Sequence, residues 1–229
     1  MAQVLRAAGV GRMLSGEVPV TLVRDASLAI DAGEFVAVTG PSGSGKSSLL
    51  YLLGLLDRPT TGSVWLEGVD TSAFDEDALA DARLRRLGFV FQSHFLLPEF
   101  TAIENVMLPM RRLGRLADDG IETRAMALLD RLGLDAQRDK LPSQMSGGQS
   151  QRVAVARALA NDPAIVLADE PTGNLDTAAS ANVQGILRGL AHEHGRAVVV
   201  VTHDRDFAAS ADRRIVVVDG RIQDAGEAG

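Results

Sequence analysis

The stretch EFVAVTGPSGSGKSSLLYLLGLL, residues 34–56, decides the fold of this chain. Its first part, Glu34–Thr39, is a short continuous apolar run that predicts a buried β-strand. Its last part, Ser47–Leu56, is apolar over a helical length and predicts an α-helix. Between them, residues 40–47 match the pattern GxxxxGK followed by Ser or Thr, a loop whose backbone N–H groups surround phosphate groups. The stretch therefore predicts a nucleotide site between a strand and a helix.

The phosphate loop predicts a separate task for each of its polar residues. Lys46 is expected to contact the β- and γ-phosphates, and the Ser47 hydroxyl is expected to bind Mg²⁺. The N-terminal end of the helix adds partial positive charge. The alternative, a flexible Gly/Ser loop without a ligand, leaves the flanking strand and helix unexplained. The candidate phosphate-binding residues are Gly40, Pro41, Ser42, Gly43, Ser44, Gly45, Lys46, Ser47 and Ser48.

The remaining segments predict an α/β fold around this unit. Two further continuous apolar runs, Ile165–Asp169 and Ala197–Thr202, predict buried strands of a parallel sheet, and Gln149–Ala160 predicts a helix. More strongly alternating segments, flanked by turn residues, predict a smaller antiparallel sheet and a terminal hairpin. These segments are Val20–Ile30 and Ser63–Val69 for the sheet, and Ile215–Val218 with Arg221–Ile222 for the hairpin.

A single domain is predicted for residues 1–229. The segment 93–160 is rich in Ala, Leu and Arg and mostly helical in character, so we interpret it as a helical subdomain inserted into a core made of residues 1–92 and 161–229. The predicted fold class is α/β: a P-loop NTPase core with a parallel sheet, a small antiparallel β subdomain and an inserted helical subdomain.

Composition narrows the possible functions. The absence of cysteine excludes disulfides and thiolate metal sites, and the net charge of −7 argues against a nucleic-acid partner. No apolar run approaches the roughly 20 residues of a membrane span, and the segment Met1–Leu14 has no signal-peptide pattern. Only Lys46 and Lys140 are lysines among the 23 basic residues, which favours a required role for the lysine in the phosphate loop.

A pair of carboxylates, Asp169 and Glu170, ends the apolar run at residues 165–168. Neighbouring residues of a strand point to opposite sides, but at the end of a strand the second one can turn toward the site. Asp169 is then expected to hold Mg²⁺ and Glu170 to act as the general base for the attacking water. The alternative is an ordinary polar strand terminus. The phosphate loop upstream favours the catalytic interpretation.

Six motifs follow one another along the chain: the phosphate loop, Gln92, Met145-Ser146-Gly147-Gly148-Gln149, Asp169-Glu170, Asn174-Leu175-Asp176 and His203. In this order they resemble the motifs of an ABC transporter ATPase subunit, and the resemblance extends from about Val20 to Ile222. The resemblance implies hydrolysis of ATP, a transmembrane permease subunit from a separate chain, and a sandwich dimer with a second copy or a paralogue. It also implies a location on the cytoplasmic side of the bacterial inner membrane, held there through the membrane partner.

The resemblance also implies roles for individual residues. Gln92 would contact Mg²⁺ and the attacking water, and His203 would bind the γ-phosphate and help position Glu170. Ser146, Gly147, Gly148 and Gln149 would bind the nucleotide of the opposite subunit, although an ordinary capped helix start is the alternative. Asp176 would lie at the interface of the two subunits. The implied catalytic set is Glu170, His203, Gln92 and Lys46, and the implied Mg²⁺ ligands are Ser47, Gln92 and Asp169.

One departure from the family pattern concerns the base of the nucleotide. The family stacks adenine on an aromatic residue before the phosphate loop, but no aromatic residue precedes Phe35 here, and the equivalent position falls near Met13. A thioether packs well on rings, so adenine is expected to lie on Met13, with looser base selectivity as a hypothesis.

The segment 92–106 resembles the lipoprotein-releasing and macrolide-exporter branch of the family. Its apolar residues Phe95, Leu96, Leu97 and Phe100 suggest a groove for a short helix of the partner, or alternatively interior packing of the helical subdomain. Rival functions fit less well. DNA-repair members carry coiled coils or zinc cysteines, translation members carry two such domains, and a kinase or GTPase would leave Ser146–Gln149 unexplained. The transported substrate is not encoded in this chain.

Overall fold

The computed structural model describes residues 2–16 and 18–223, which form two β-sheets and seven α-helices. The strands are β1 (Gln3–Leu14), β2 (Val20–Asp31), β3 (Phe35–Thr39), β4 (Thr61–Leu66), β5 (Val69–Asp70), β6 (Leu87–Phe91), β7 (Ile165–Asp169), β8 (Ala197–Val201), β9 (Arg213–Val218) and β10 (Arg221–Gln223). The helices are α1 (Lys46–Leu53), α2 (Glu76–Arg86), α3 (Ala102–Leu113), α4 (Asp118–Arg131), α5 (Gly147–Leu159), α6 (Thr177–His192) and α7 (Arg205–Ala209), and short 3-10 turns cover Asp135–Gln137 and Pro142–Gln144.

The larger sheet has the strand order β10-β9-β3-β8-β7-β6. Its central strands are parallel, with Phe35 opposite Val198 and Ile165 opposite Ala197, and only β10 runs antiparallel, as a hairpin with β9. Every residue of β7 and β8 is buried, because helices or the second sheet cover both faces. The predicted parallel sheet and terminal hairpin are confirmed.

Two predicted helix boundaries differ from the structure. The helix after the phosphate loop was expected to reach Leu56, but α1 ends at Leu53 with Gly54 as its C-cap. Gly54 packs so closely on the sheet that a Cβ atom there would lie 2.6 Å from the Phe89 ring, and Leu55 then turns to a φ of 56°. Helix α5 was expected over Gln149–Ala160 and instead covers Gly147–Leu159. It begins two residues before the predicted start because Ser146 is its N-cap.

The smaller sheet has the order β2-β1-β4-β5, and its inner strand β1 was not predicted from the sequence. Strand β1 pairs antiparallel with both β2 and β4, so the two predicted strands join through it rather than directly. Its alternation is broken by register shifts around Gly9 and by the consecutive buried residues Val4 and Leu5. The Arg6 guanidinium, on the exposed face, lies 4.8 Å from the Trp65 ring centroid. The predicted strand Ser63–Val69 is divided by a turn at residues 67–68 between β4 and β5.

Two apolar clusters lie on opposite faces of the larger sheet. One joins alternate residues of β3, β7 and β8 to helices α3, α4, α5 and α6, and the other joins the remaining residues of these strands to α1 and the smaller sheet. The helical segment therefore shares its apolar core with one face of the sheet. The division into residues 1–92, 93–160 and 161–229 stays a prediction. Within the described residues, no helix is long and apolar enough to span a membrane.

Four loops that carry the sequence-predicted site residues leave the carboxyl ends of neighbouring strands. The phosphate loop follows β3, Gln92 follows β6, Glu170 follows β7 and His203 comes two residues after β8. Because β3, β8, β7 and β6 are adjacent and parallel, their carboxyl ends meet at one edge of the sheet, where open α/β sheets bind ligands. The fold thus places these residues around one crevice.

Candidate active site

The backbone of the phosphate loop can be built only with glycine at two positions. Gly40 and Gly45 have φ values of 143° and 98°, and a Cβ atom at either residue would overlap a carbonyl oxygen, of Val217 or of Leu22. Gly43, with a φ of 74°, has no atom within 4 Å of the place of a Cβ and faces open space at the tip of the loop. The loop is a concave backbone surface held between β2 and β9.

Several polar groups in this loop point to an anionic ligand. Helix α1 has no side chain capping its N-terminus and no acidic residue in its first turn. The Lys46 ammonium donates to the carbonyl oxygens of Gly40 at 3.0 Å and Pro41 at 2.8 Å. The Ser44 hydroxyl is buried without a hydrogen-bond partner among the described residues. A concave loop, an uncapped helix N-terminus and a nearby ammonium together fit the phosphate groups of a nucleotide.

The Asp169 carboxylate lies beside the first turn of α1. Its Oδ1 accepts a hydrogen bond from the Ser47 hydroxyl at 2.9 Å, and its Oδ2 accepts one from the Tyr51 hydroxyl at 3.0 Å. Burial, then the hydrogen bond to Asp169 and the charge of that carboxylate, raise the pKa of Tyr51 above its usual value. Tyr51 was not predicted as a site residue from the sequence, although its spacing of four residues from Ser47 puts both on one face of α1.

Glu170 and His203 meet across the ends of β7 and β8. Glu170 has a φ of 47°, and this left-handed conformation turns its side chain out of the strand direction toward the crevice. Its Oε2 lies 2.8 Å from His203 Nδ1. The Glu170 side chain is 20% exposed and the His203 side chain 75% exposed. The pair therefore presents one sheltered carboxylate and one accessible imidazole to the same space.

Gln92 lies against the segment that follows β7. Its Nε2 donates to Asn174 Oδ1 at 3.0 Å, and a Cβ atom on Gly173 would lie 2.8 Å from the same nitrogen. The exposed Gln92 amide is thus next to the loop that leads from Glu170 to α6. Asp176 caps α6 through a bond from the Ala179 N–H at 2.8 Å, which leaves its second carboxylate oxygen on the surface.

The segment around Ser146 lies beside a separate cavity. Ser146 and Gln149 make reciprocal hydrogen bonds, a capping box, at the start of α5. Gly148 packs closely on α6, where a Cβ atom would lie 2.7 Å from the Ala179 Cβ. A cavity of about 360 Å³ opens beside these residues. In the described part of the chain, no hydrogen bond joins Ser146, Gly147 or Gly148 to the phosphate loop.

Met13 lies at the end of β1 on an exposed apolar surface. Met13 is 42% exposed, and its backbone N–H donates a hydrogen bond to the Thr60 hydroxyl at 3.1 Å. Thr21 is its partner on β2, one residue before Leu22, whose carbonyl borders Gly45. Met13 therefore lies on the side of the smaller sheet that adjoins the phosphate loop.

The predicted apolar cluster after Gln92 divides between surface and interior. Phe95 is 63% exposed and Leu97 is exposed, whereas Leu96 is buried and Phe100 is half-buried. Beside Phe95, a groove of about 340 Å³ lies between α2, β6 and α5, with Leu56, Phe89, Phe91 and Arg157 among its lining residues.

Among the described residues, no group of three or more His, Cys, Asp or Glu side chains could hold a metal ion by itself.

Comparison with known proteins adds a family relationship. The family described as ABC transporter matches residues 23–173. The chain is 52% identical over 209 residues to the lipoprotein-releasing system ATP-binding protein LolD 1 of Chlorobium chlorochromatii, covering 91% of this chain and 85% of that protein. It is 46% identical over 222 residues to LolD of Aquifex aeolicus, covering 97% of each. It is 51% identical over 213 residues to the macrolide export ATP-binding/permease protein MacB of Rhodospirillum rubrum, covering 93% of this chain and 32% of that protein.

Two solved structures have the same fold. The dimeric structure of MJ0796, described as a bacterial ABC transporter cassette, superposes with a TM-score of 0.91 at 40% identity and covers 98% of this chain and 99% of its own. A dimeric post-hydrolysis state of MJ0796 bound to ADP and Pi superposes with a TM-score of 0.91 at 39% identity over the same shares. These similarities extend over nearly all of both chains.

Proposed function

This chain belongs to the ABC transporter family, and from that premise we propose how its residues divide the work of ATP hydrolysis. The chain is an ATP-hydrolysing subunit that forms a dimer and acts with a transmembrane partner. The contact between Glu170 and His203, 2.8 Å apart at the crevice of the sheet, carries the proposal for the catalytic step. It supports an oriented carboxylate at the same edge of the sheet as the phosphate loop.

Glu170 is proposed as the general base. Its Oε2 is engaged by His203, which leaves Oε1 to accept a proton from the attacking water. The oxygen of that water bonds to the γ-phosphorus, and the bond from this phosphorus to the bridging oxygen of ADP breaks. His203 holds the carboxylate in place and presents its exposed ring to the γ-phosphate. Lys46 stabilises the negative charge of the β- and γ-phosphates.

Mg²⁺ fits the donors at the end of β7. The Ser47 hydroxyl, the Asp169 carboxylate and the Gln92 amide would hold it together with phosphate oxygens, since hard oxygen donors suit this ion. When bound, Mg²⁺ neutralises charge on the transferred phosphoryl group. Ser47 and Asp169 already lie 2.9 Å apart, so these two donors are preorganised by α1 and β7.

The second half of each site is proposed to come from the other subunit of the dimer. Ser146, Gly147 and Gly148 border a cavity away from the phosphate loop of their own chain. The first N–H groups of α5 and the Ser146 hydroxyl would bind the γ-phosphate held by the second copy or a paralogue. Asp176, at the start of α6, would lie at the same interface. ATP then holds the two subunits together, and hydrolysis releases them.

A Glu170→Gln substitution tests this assignment. It keeps the size of the side chain and its hydrogen bond to His203 but removes the base, so ATP turnover should fall by roughly 100-fold or more. The variant should accumulate as a nucleotide-bound dimer in Mg-ATP, measured by size exclusion with light scattering. Glu193→Gln, an exposed position at the end of α6, is the matched control. A Glu170→Gln chain that stays monomeric in excess Mg-ATP would contradict the two-subunit site.

The membrane partner is proposed to be of the lipoprotein-releasing or macrolide-export type, since relatives of both kinds are 52% and 51% identical to this chain over the aligned residues. Its docking site would be the groove beside Phe95, an apolar surface that suits the apolar face of a short helix. The chain would thereby work at the cytoplasmic face of the bacterial inner membrane as a peripheral subunit.

Co-purification tests the docking site. Phe95→Glu should abolish capture of the membrane partner from detergent extracts, because a charge would have to be buried in the interface. Val18→Glu introduces the same charge at another exposed apolar residue, 78% exposed, and should leave capture unchanged. Mass spectrometry of the captured protein identifies the partner. Equal capture by both variants would show that the membrane partner docks at another surface.

A further inference from the structure

Four aromatic side chains lie in contact beside the nucleotide site. The whole chain has seven Phe, one Tyr and one Trp, so this row uses a large share of them. The ring centroids of Tyr51 and Phe91 are 6.4 Å apart, and those of Phe91 and Phe95 are 5.5 Å apart, both edge to face. Phe89 stacks on Phe91 at 5.9 Å. These distances are those of packed aromatic pairs.

The inner end of the row is tied to the carboxylate that is assigned to Mg²⁺. The Tyr51 hydroxyl donates to Asp169 Oδ2 at 3.0 Å, while Ser47 donates to Oδ1 of the same group at 2.9 Å. Both oxygens of Asp169 are therefore oriented from α1. A displacement of the Tyr51 ring would reorient this carboxylate or break one of its bonds.

The outer end of the row is exposed and conformationally constrained. Phe95 is 63% exposed and has a φ of 46°, a conformation that is unfavourable for a bulky residue. Arg157 of α5 donates to the carbonyl oxygens of His94 at 2.7 Å and Phe95 at 2.6 Å. Gln151, on the same helix, donates to the Phe91 carbonyl at 2.9 Å. Helix α5 thus holds the backbone at both ends of the segment 91–95.

We propose that the row Phe95–Phe91–Tyr51 transmits the position of the exposed Phe95 ring to the Asp169 carboxylate, with Tyr51 as a positioning residue for the metal-binding site. Phe91 contacts both Phe95 and Tyr51, so a Phe95 ring that is pressed toward Phe91 must overlap it or displace it toward Tyr51. A ligand or partner that presses Phe95 inward would therefore displace Phe91 and Tyr51 in turn. The inference rests on the proposed function, because it takes Asp169 as a ligand of Mg²⁺.

Tyr51 is the only tyrosine of the chain, which makes a site-specific measurement possible. Incorporation of fluorotyrosine gives the full-length chain a single ¹⁹F resonance at the inner end of the row. The resonance is recorded with ATP in the presence and absence of Mg²⁺, in a Glu170→Gln background that prevents turnover. Phe95→Leu and Phe91→Leu should each shift the resonance. Phe74→Leu, a half-buried Phe outside the row, should not.

A mutant cycle on ATP hydrolysis gives a second readout, measured in chains that keep Glu170. Phe95→Leu should raise the Mg²⁺ concentration for half-maximal activity by about threefold, the size expected for loss of an aromatic contact. Tyr51→Phe keeps the ring but removes the hydroxyl, and in that background Phe95→Leu should no longer change the Mg²⁺ dependence. Thermal unfolding of each variant separates this effect from loss of the fold.

The outcomes distinguish the inference from the function on which it rests. If Phe95→Leu alters neither the resonance nor the Mg²⁺ dependence, or if its effect is additive with that of Tyr51→Phe, the row is packing only and the inference is wrong. If the Phe91→Leu chain does not fold, the Phe95→Leu chain still tests the inference, because Phe95 is exposed and its substitution is expected to leave the fold intact. If the Glu170→Gln chain without further substitutions shows no response of Tyr51 to Mg²⁺ with ATP, the assignment of Asp169 fails instead.

Discussion

At the scale of single residues, Met13 is the residue that we propose contacts the base of the nucleotide. Its side chain is exposed at the end of β1, next to Arg12, whose Nε lies 2.6 Å from Asp57 Oδ2 and fixes the end of the strand. A thioether covers less of a purine ring than a phenol does and contributes no ring-to-ring stacking. Under this proposal, the position would accept adenine and guanine with a smaller difference in affinity.

A Met13→Tyr substitution should restore stacking. We expect the KM for ATP to fall about three- to tenfold and the preference for ATP over GTP to increase, in line with about 0.5–1.5 kcal/mol for an aromatic pair. Steady-state ATPase and GTPase assays measure both. Leu14→Tyr is the control, because Leu14 is equally exposed at 43% but neighbouring residues of a strand point to opposite sides. A strict ATP preference in the unsubstituted chain would contradict the idea of loose base selection.

Two residues illustrate what a linear pattern can convey about the site. Glu170 is recognisable from its place after an apolar run, but its φ of 47° follows from the bond of its N–H to the Val201 carbonyl, 2.9 Å away on β8. Tyr51 sits in an apolar helix sequence and is typical of a core residue there. Only the approach of Asp169 from β7 makes it a polar contact of the site.

At the scale of elements, the packing of α5 on β6 depends on a glycine. A Cβ atom on Gly88 of β6 would lie 2.5 Å from the Ala158 carbonyl oxygen of α5, so the strand and the helix approach each other at backbone distance. This contact positions α5, which is capped by Ser146, relative to Gln92, one residue beyond β6. Larger side chains would push the two elements apart.

Gly88→Ala should lower the free energy of unfolding by about 1–3 kcal/mol, the usual cost of overpacking a well-packed contact. Gly185→Ala is the matched substitution with the opposite expected sign. Gly185 is exposed within α6 with no atom within 4 Å of the place of a Cβ, so alanine should stabilise by about 0.5–1 kcal/mol. Urea denaturation of both variants measures the difference. A gain in stability from Gly88→Ala would show that the α5–β6 contact is looser than described.

Helix caps are features that a short sequence pattern can indicate. Helix α5 was predicted to start at Gln149, with a capped start at Ser146 as the alternative to its nucleotide role. In the structure Ser146 forms a capping box with Gln149, and the helix begins at Gly147. Thr101 and Glu104 form the same motif at α3, which the sequence analysis did not single out. Caps are local, since they join residues three positions apart, and a pattern of four residues suffices to predict them.

At the scale of the whole molecule, the proposed function requires two chains to complete each active site. Under the proposed arrangement, Lys46 and Ser146 of one chain serve different sites of the dimer. Lys46→Ala should disable nucleotide binding in its own chain, whereas Ser146→Arg should abolish turnover and leave binding to the monomer nearly intact. Fluorescent-nucleotide titration of each monomer separates the two effects.

Mixing these two inactive variants should restore activity. A mixed dimer contains one site with both substitutions and one site with neither, because the interface is reciprocal. Random pairing would then return roughly a quarter of the activity of the unsubstituted chain, if one intact site suffices for turnover. The ATPase rate of the mixture measures this, and each variant alone is the control. No recovery on mixing, with dimers present, would place Lys46 and Ser146 of one chain in the same site.

The predictability of this fold depends on the range of the interactions concerned. Strands β3, β7 and β8 were predicted because they are buried on both faces and read as unbroken apolar runs. Strand β1 was not, because its bulges at Gly9 and its exposed residues interrupt the pattern, and its place between β2 and β4 comes from pairing with distant segments. Contacts with distant segments likewise decide which apolar residues of the segment 95–100 are buried and which are exposed.

The sequence by itself determined the phosphate loop, the order of the motifs, the caps and the buried strands, since each of these is a local pattern with one physical meaning. Tertiary structure decided which residues meet: Asp169 with Ser47 and Tyr51, Glu170 with His203, and Phe95 with Phe91. These pairs join separate elements, most of them far apart in the chain. Their distances follow from strand order, helix packing and left-handed turns, which no local pattern encodes.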